Sequence, residues 1–243
     1  MKISLCRWLV LTIFLLSISA GCSGNVETAG VQVTQLLRAD RQERFFNSAP
    51  QQNYEISWSV FSRADIDGNS EIDYPVISAV YPVGRSEIAQ EINDAMWLFL
   101  KMLTEPYAGI WAVSFGHLTH EVMRFDEELF SIKYQGEISN SAGGEDHAFA
   151  LNFCMRTGEL LALDDLFDRE SVLSALGNGM FSPLFDEEAD HPINLEMRFR
   201  DSRFLHMDKN RNHDFYFDND TLFLIINPFT ALNYTIYEIN LHS

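Results

Sequence analysis

Polar and apolar residues alternate through Tyr54-Glu-Ile-Ser-Trp-Ser-Val-Phe61, the period of a strand with one buried face. Asp67-Gly68-Asn69 then gives a turn signal. Tyr74 to Tyr81 is rich in Val and Ile and predicts a second strand, with Pro75 placing it at an edge or near its start. The period then changes. Ile88, Ile92, Met96, Phe99 and Leu103 recur at steps of three and four, which predicts a helix from about Ser86 to Leu103 with one apolar stripe. Ser86 can cap this helix and Pro106 ends it. Strand alternation returns over Trp111–Phe125, Glu128–Ile138 and His147–Met155, with turns at Asn140–Gly144 and Arg156–Glu159. Asp168 caps a second helix, Arg169 to Leu176, stopped by Gly177 and Gly179. Three more strands follow, at about Asp214–Phe217, Thr221–Ile226 and Tyr234–Leu241. Runs of strands with two main helices between them predict an α+β domain, the helices packed on a largely antiparallel sheet.

The start of the chain has a different pattern. Lys2 and Arg7 precede an apolar run, Trp8 to Ile18, that has signal-peptide length and is short for a membrane span. Ser19-Ala20-Gly21 are small and Cys22 follows at once. This resembles a bacterial lipoprotein signal ending in a lipobox, with Ser19 where an aliphatic residue is usual. The resemblance implies cleavage before Cys22, a diacylglyceryl thioether on its sulfur, fatty acyl chains such as palmitate, and export to the cell envelope. Residues 1–21 are then the signal, 22–52 a lipidated cysteine with its tether, and 53–243 the folded domain. Within the tether, Val31 to Phe46 has the apolar residues for a helical turn or two. Each buried methylene contributes about 0.8 kcal/mol, so several acyl chains hold a protein stably on a membrane.

Charge narrows the partners. The formal net charge is -18, and removal of residues 1–21 takes away Lys2 and Arg7 and no acid. Such a surface repels nucleic acid and anionic lipid and attracts cationic partners in a salt-sensitive way. Nineteen phenylalanines and eight tyrosines supply enough aromatic area for a packed core. Of the three cysteines, Cys6 leaves with the signal and Cys22 carries lipid, so only Cys154 remains and no internal disulfide forms. Cys154 lies in the apolar segment Ala-Leu-Asn-Phe-Cys-Met, the setting of a buried, inert thiol.

One ordered set of short motifs carries a family resemblance. Gly143-Gly144-Glu145-Asp146-His147 is followed by a strand centred on Asn152, the turn Thr157-Gly158, and the helix entry Leu163-Asp-Asp-Leu-Phe167. Upstream, Tyr81-Pro82 leads into Ile92-Asn93; downstream, Phe215-Tyr-Phe217 precedes Leu224-Ile-Ile-Asn-Pro-Phe229. This order is similar to the ectodomains of RsiV-type lysozyme-sensing anti-sigma factors and to the N-terminal module of PdaC-type peptidoglycan deacetylases, a domain-of-unknown-function family. It spans about residues 54–241. The glycine turn is one residue longer than the family's Gly-Gly-Ala-His. The sequence carries neither an anti-sigma segment nor a deacetylase domain, so the resemblance implies a fold and an envelope location. Lysozyme binding belongs to some members.

Candidate chemistry is sparse. Asp65, Asp67, Asn69 and Asp73 space oxygen ligands as a calcium loop does. Ser70 stands at the glycine position and Val76 at the final glutamate position, so a polar hairpin turn explains them better. His117 and His120 are three apart, which on a strand sends them to opposite faces. Gly143, Gly144, Glu145, Asp146 and His147 are the candidate binding residues, with His147 a general base only if a carboxylate orients it. The plainer account is that the glycines permit positive φ and His147 bonds locally. No nucleophile–base–orienter set, metal set or cofactor motif is legible. The expected function is a membrane-anchored, non-enzymatic domain that binds an envelope or host component, in its sharper form a basic protein such as lysozyme. The alternatives are an enzyme acting on wall glycan or peptide, and a purely structural envelope domain.

Overall fold

A two-stranded hairpin opens the fold. In the computed structural model the described residues are 36, 53–64, 69–79, 85–104, 114–115, 118–140, 143–184, 192–201, 214–227 and 234–241. Strands β1 (Tyr54–Ala64) and β2 (Asn69–Ala79) pair antiparallel from Tyr54↔Ala79 to Ala64↔Asn69. Pro75 sits in the middle of β2, opposite Trp58, rather than at its start. The reason is the edge. Ile77, two residues on, turns its N–H and C=O outward to the side chain of Asn93, each at 2.8 Å. Pro75 therefore lacks an N–H only on the outer side, where no ladder bond is lost.

Helix α1 (Ser86–Thr104) supplies Asn93 and lies along that edge. Ile92, Met96 and Phe99 are buried, as their spacing predicts. The helix packs closely on the turn after Met155. Gly158 there has φ +81°, and a Cβ on it would stand 2.9 Å from the Cβ of Glu91. Both facts favour glycine.

The second sheet is built on β5 (Leu129–Asn140), paired over its whole length with β6 (Gly143–Cys154). On its other edge lie β4 (Thr119–Phe125) and the short β3 (Ser114–Phe115). The register of β4 slips between Val122 and Arg124. The extra residue, Met123, turns to the opposite side, while Val122 and Phe125 both pack in the same core. This is a bulge resetting the two-residue alternation. The ladder of β5 and β6 runs from Asn140↔Gly143 onward. Asn140, Gly143 and Gly144, expected in a turn, are therefore strand residues, because the pairing extends through both glycines.

The third sheet has the order β7-β10-β9-β8, from Ser182–Pro183, Thr235–Asn240, Thr221–Ile226 and Phe215–Asp218 respectively. A two-residue turn joins β8 to β9, with Asn219 at φ 50°, as such hairpin turns require. Three helices pack on this sheet: α2 (Leu163–Leu166), α3 (Arg169–Gly177) and α4 (Pro192–Asp201). The Asp168 carboxylate accepts the Ser171 N–H at 3.0 Å and caps α3 as expected. Helix α4 has no counterpart among the sequence expectations. Every strand pairing is antiparallel and the helices lie against the sheets, so the fold is α+β. Among the described residues the strands form three sheets rather than one.

Three cores result. One joins α1, the hairpin and the Phe130, Ile132, Tyr134, Phe149, Leu151 and Phe153 face of the second sheet. Another joins the third sheet to α2–α4. The smallest lies between the sheets, with Ala148 and Ala150 against Tyr216, Phe223 and Ile225. Leu36 is buried in the second of these, and its carbonyl accepts the Asp168 N–H at 3.2 Å. The rest of the expected tether, the signal and Cys22 lie outside the described residues. Among the described residues no helix is long and apolar enough to cross a membrane.

Candidate functional site

The glycine–acid–histidine segment lies on a strand. Gly143 to His147 form the first five residues of β6, opposite Asn140 to Gly136 of β5. Strand alternation sends successive side chains to opposite faces. Asp146 is accordingly exposed, whereas His147 is 5% exposed. Asp146 lies on the side of Ala148 and Ala150, where its charge helps raise the Tyr234 hydroxyl above its ordinary value, after the larger effect of burial. His147 and Asp146 therefore do not converge as a base with its orienting carboxylate.

Of the four calcium-loop candidates, two fall among the described residues. Asp65 and Asp67 lie outside the described residues, and Asn69 begins β2 opposite Ala64. Asp73 is exposed on β2 opposite Val60. Among the described residues no three His, Cys, Asp or Glu side chains gather as metal ligands. His117 lies outside the described residues. Cys154 is a buried free thiol, as its apolar setting predicts.

Several buried polar groups are tied into the architecture. Asp126 accepts the N–H groups of Glu128 and Leu129 at 2.8 and 2.9 Å and pairs with Arg124. Glu128 pairs with Arg156 across the adjoining turn. Ser131 donates to Asn152 at 2.7 Å, Asn152 donates to the Phe215 carbonyl at 2.7 Å, and the Phe217 N–H returns to Ser131 at 3.3 Å. The side-chain carbonyl of Asn227 accepts the Ala148 N–H at 3.1 Å. These bonds stitch the second sheet to the third.

The hairpin shows a different arrangement. Directly paired antiparallel residues share a face, so Trp58, Val60 and Asp73 lie together, with Ser62 and Glu71 next along the ladder. Trp58 is 47% and Val60 52% exposed. One face of the Trp58 ring stacks on His120 of β4, the centroids 4.1 Å apart. His120 in turn leans on the fully buried Tyr134, which stacks on Phe149. Burial, with the charge of Asp73 adding to it, holds the Tyr134 hydroxyl well above the ordinary tyrosine value. Asp73 and Glu71 make no ion pair among the described residues, whereas Glu121, Asp164 and Glu196 are paired with Lys133, Arg169 and Arg200. The alternation of β1 signals an apolar face; it does not reveal that the distal part of that face stays open.

Comparison with known proteins gives little that is specific. No family model matches the chain. No curated protein matches it either. A solved structure of a DUF3298 family member from Bacteroides fragilis is a distant structural neighbour, with a TM-score of 0.43 and 13% sequence identity, over 80% of this chain and 91% of that one.

Proposed function

We propose that this chain is a lipid-anchored, extracytoplasmic and non-enzymatic binding domain related to the RsiV-type and PdaC-type modules. Its partner is an envelope or host component, and the sharper form of the reading is a basic protein such as lysozyme. The supporting observation is the division of labour among polar groups. Buried ones hold sheets and turns together, as Asp126, Ser131 and Asn152 do. The exposed ones are dominated by carboxylates, in a chain of formal net charge -18. Long-range attraction to a cation speeds encounter, while apolar anchors supply lasting affinity.

Two measurements test this reading. Fatty-acid labelling should mark the wild type and miss Cys22→Ala; an unlabelled wild type overturns the anchor. Titration of the full-length chain in detergent with lysozyme, and with an equally basic unrelated protein, should give binding to lysozyme that survives physiological salt. Equal and fully salt-suppressed binding to both would leave only non-specific electrostatics. Wall-degrading activity that disappears in His147→Gln would establish the enzyme reading instead. The full chain is the right material because Leu36 belongs to a core, and a chain starting at residue 53 loses it.

A further inference from the structure

We propose that the open face of the β1–β2 hairpin is the surface that docks a basic protein, taking an arginine or lysine side chain against the exposed part of Trp58, with the carboxylate of Asp73 and then that of Glu71 following on the same face of the ladder. This deepens the binding reading above and rests on it.

Four observations converge here. Trp58 is half exposed yet already held, because His120 stacks on one face of its ring at 4.1 Å. A pre-positioned aromatic side chain loses little rotamer freedom on binding, and tryptophan is a common anchor at interfaces. Trp58 is 47% exposed, so part of its ring is open to a cation, and guanidinium groups stack well on indole. Val60, 52% exposed, extends the apolar patch by one ladder position.

Asp73 faces the same side and Glu71 follows it, both exposed and neither in an ion pair among the described residues. A cation seated on the indole would meet an acceptor that it need not take from another partner. The other half-exposed tryptophan, Trp97 on α1, makes the contrast. Lys101 of the same helix already lies over its ring at 5.4 Å. Over Trp58 the described residues place no cation. The cation present at Trp97 is what the partner would bring to Trp58.

The test uses the full-length chain in detergent and lysozyme as the probe, read as affinity and on-rate at low and physiological salt. The hairpin reversal Glu71→Lys/Asp73→Lys is compared with Glu127→Lys/Glu170→Lys, an equal charge change at exposed positions elsewhere. The hairpin pair should weaken affinity at least tenfold more than the control pair. Trp58→Ala should weaken it at least tenfold through the off-rate, with the on-rate nearly unchanged, and Trp58→Phe should recover part of the loss. Equal weakening by the two charge pairs, or wild-type affinity in a folded Trp58→Ala, overturns the surface and leaves the binding reading standing. If Trp58→Ala does not fold, the charge pairs decide alone. A wild type that binds no basic protein defeats the binding reading and the surface with it.

Discussion

The two faces of the second sheet are held by different forces. Toward α1 and the hairpin it presents Phe130, Ile132, Tyr134, Phe149, Leu151 and Phe153, all fully buried. Neighbouring rings on this face lie against one another: Tyr134 stacks on Phe149 at 5.1 Å, and Phe99 of α1 meets Phe149 at 5.2 Å. Toward the third sheet it presents Ser131, Ala148, Ala150 and Asn152. Small side chains let the two sheets approach, and the approach brings backbone groups within reach of Ser131 and Asn152. Further polar links border this interface. Arg124 donates to the Asn219 carbonyl at 3.0 Å, Tyr234 donates to Gln135 at 3.1 Å, and Lys133 lies over the Tyr216 ring at 5.5 Å. The first face is fixed by shape and area, the second by hydrogen-bond register. The first should resist loss of a polar atom and suffer from loss of volume, and the second should do the reverse.

The largest effect should come from volume on the apolar face. Phe149→Ala removes a ring that touches Phe99 and Tyr134 and should cost about 3–5 kcal/mol. Denaturant unfolding with an unchanged slope would measure it. A loss below about 1 kcal/mol would mean that this core collapses around the gap, and the contrast between the faces would fail.

Next in size is the polar stitch. Asn152→Ala strands the Phe215 carbonyl and removes an acceptor from Ser131. An orphaned buried group costs about 1–3 kcal/mol. The coupling should appear in a double-mutant cycle with Ser131→Ala, where residues of one network interact by about 0.5–3 kcal/mol. Strict additivity would show that the two side chains do not act as a unit.

This division also explains what could be read from the sequence. The stripe on α1 was visible because Ile92, Met96 and Phe99 repeat at helical steps and bury together. The cap of α3 was visible because an aspartate precedes the helix and bonds its third residue. Helix α4 was missed because only Leu195 and Phe199 among its described side chains are buried, too short a stripe to stand out, although Pro192 at its first position was a start signal. The division into three sheets was illegible because β6 is buried on both faces from His147 to Cys154, and apolar residues on both sides do not show which side meets which neighbour. Gly143 and Gly144 read as turn because adjacent glycines are a loop signal; pairing with β5 overrides that local signal. The hairpin face was legible as a strand. Its openness was not, since that depends on where β4 and α1 end against it.

The smallest effect, and the one of opposite sign, tests the exception on the apolar face. The Tyr134 hydroxyl is buried there with no hydrogen-bond partner among the described residues. Removing such a group while keeping the ring should stabilise the protein, because the desolvation cost of the orphan disappears. Tyr134→Phe should therefore raise stability by about 1 kcal/mol near neutral pH. The pH dependence has a definite sign. Burial, with Asp73 adding to it, raises the hydroxyl above its ordinary value of 10.0. Above pH 10 the unfolded chain then loses this proton while the folded chain keeps it. The Tyr134 contribution to unfolding free energy is steady below that pH and falls as pH rises through the alkaline range toward the folded value. Tyr134→Phe should make that alkaline fall shallower. It should not abolish it, because burial also raises Tyr216. Denaturant midpoints of the two proteins, near neutral pH and above pH 10, should therefore diverge as pH rises. A destabilised Tyr134→Phe with an unchanged alkaline slope would mean that the hydroxyl is satisfied in solution, and the apolar face would then depend on a polar bond as its opposite face does.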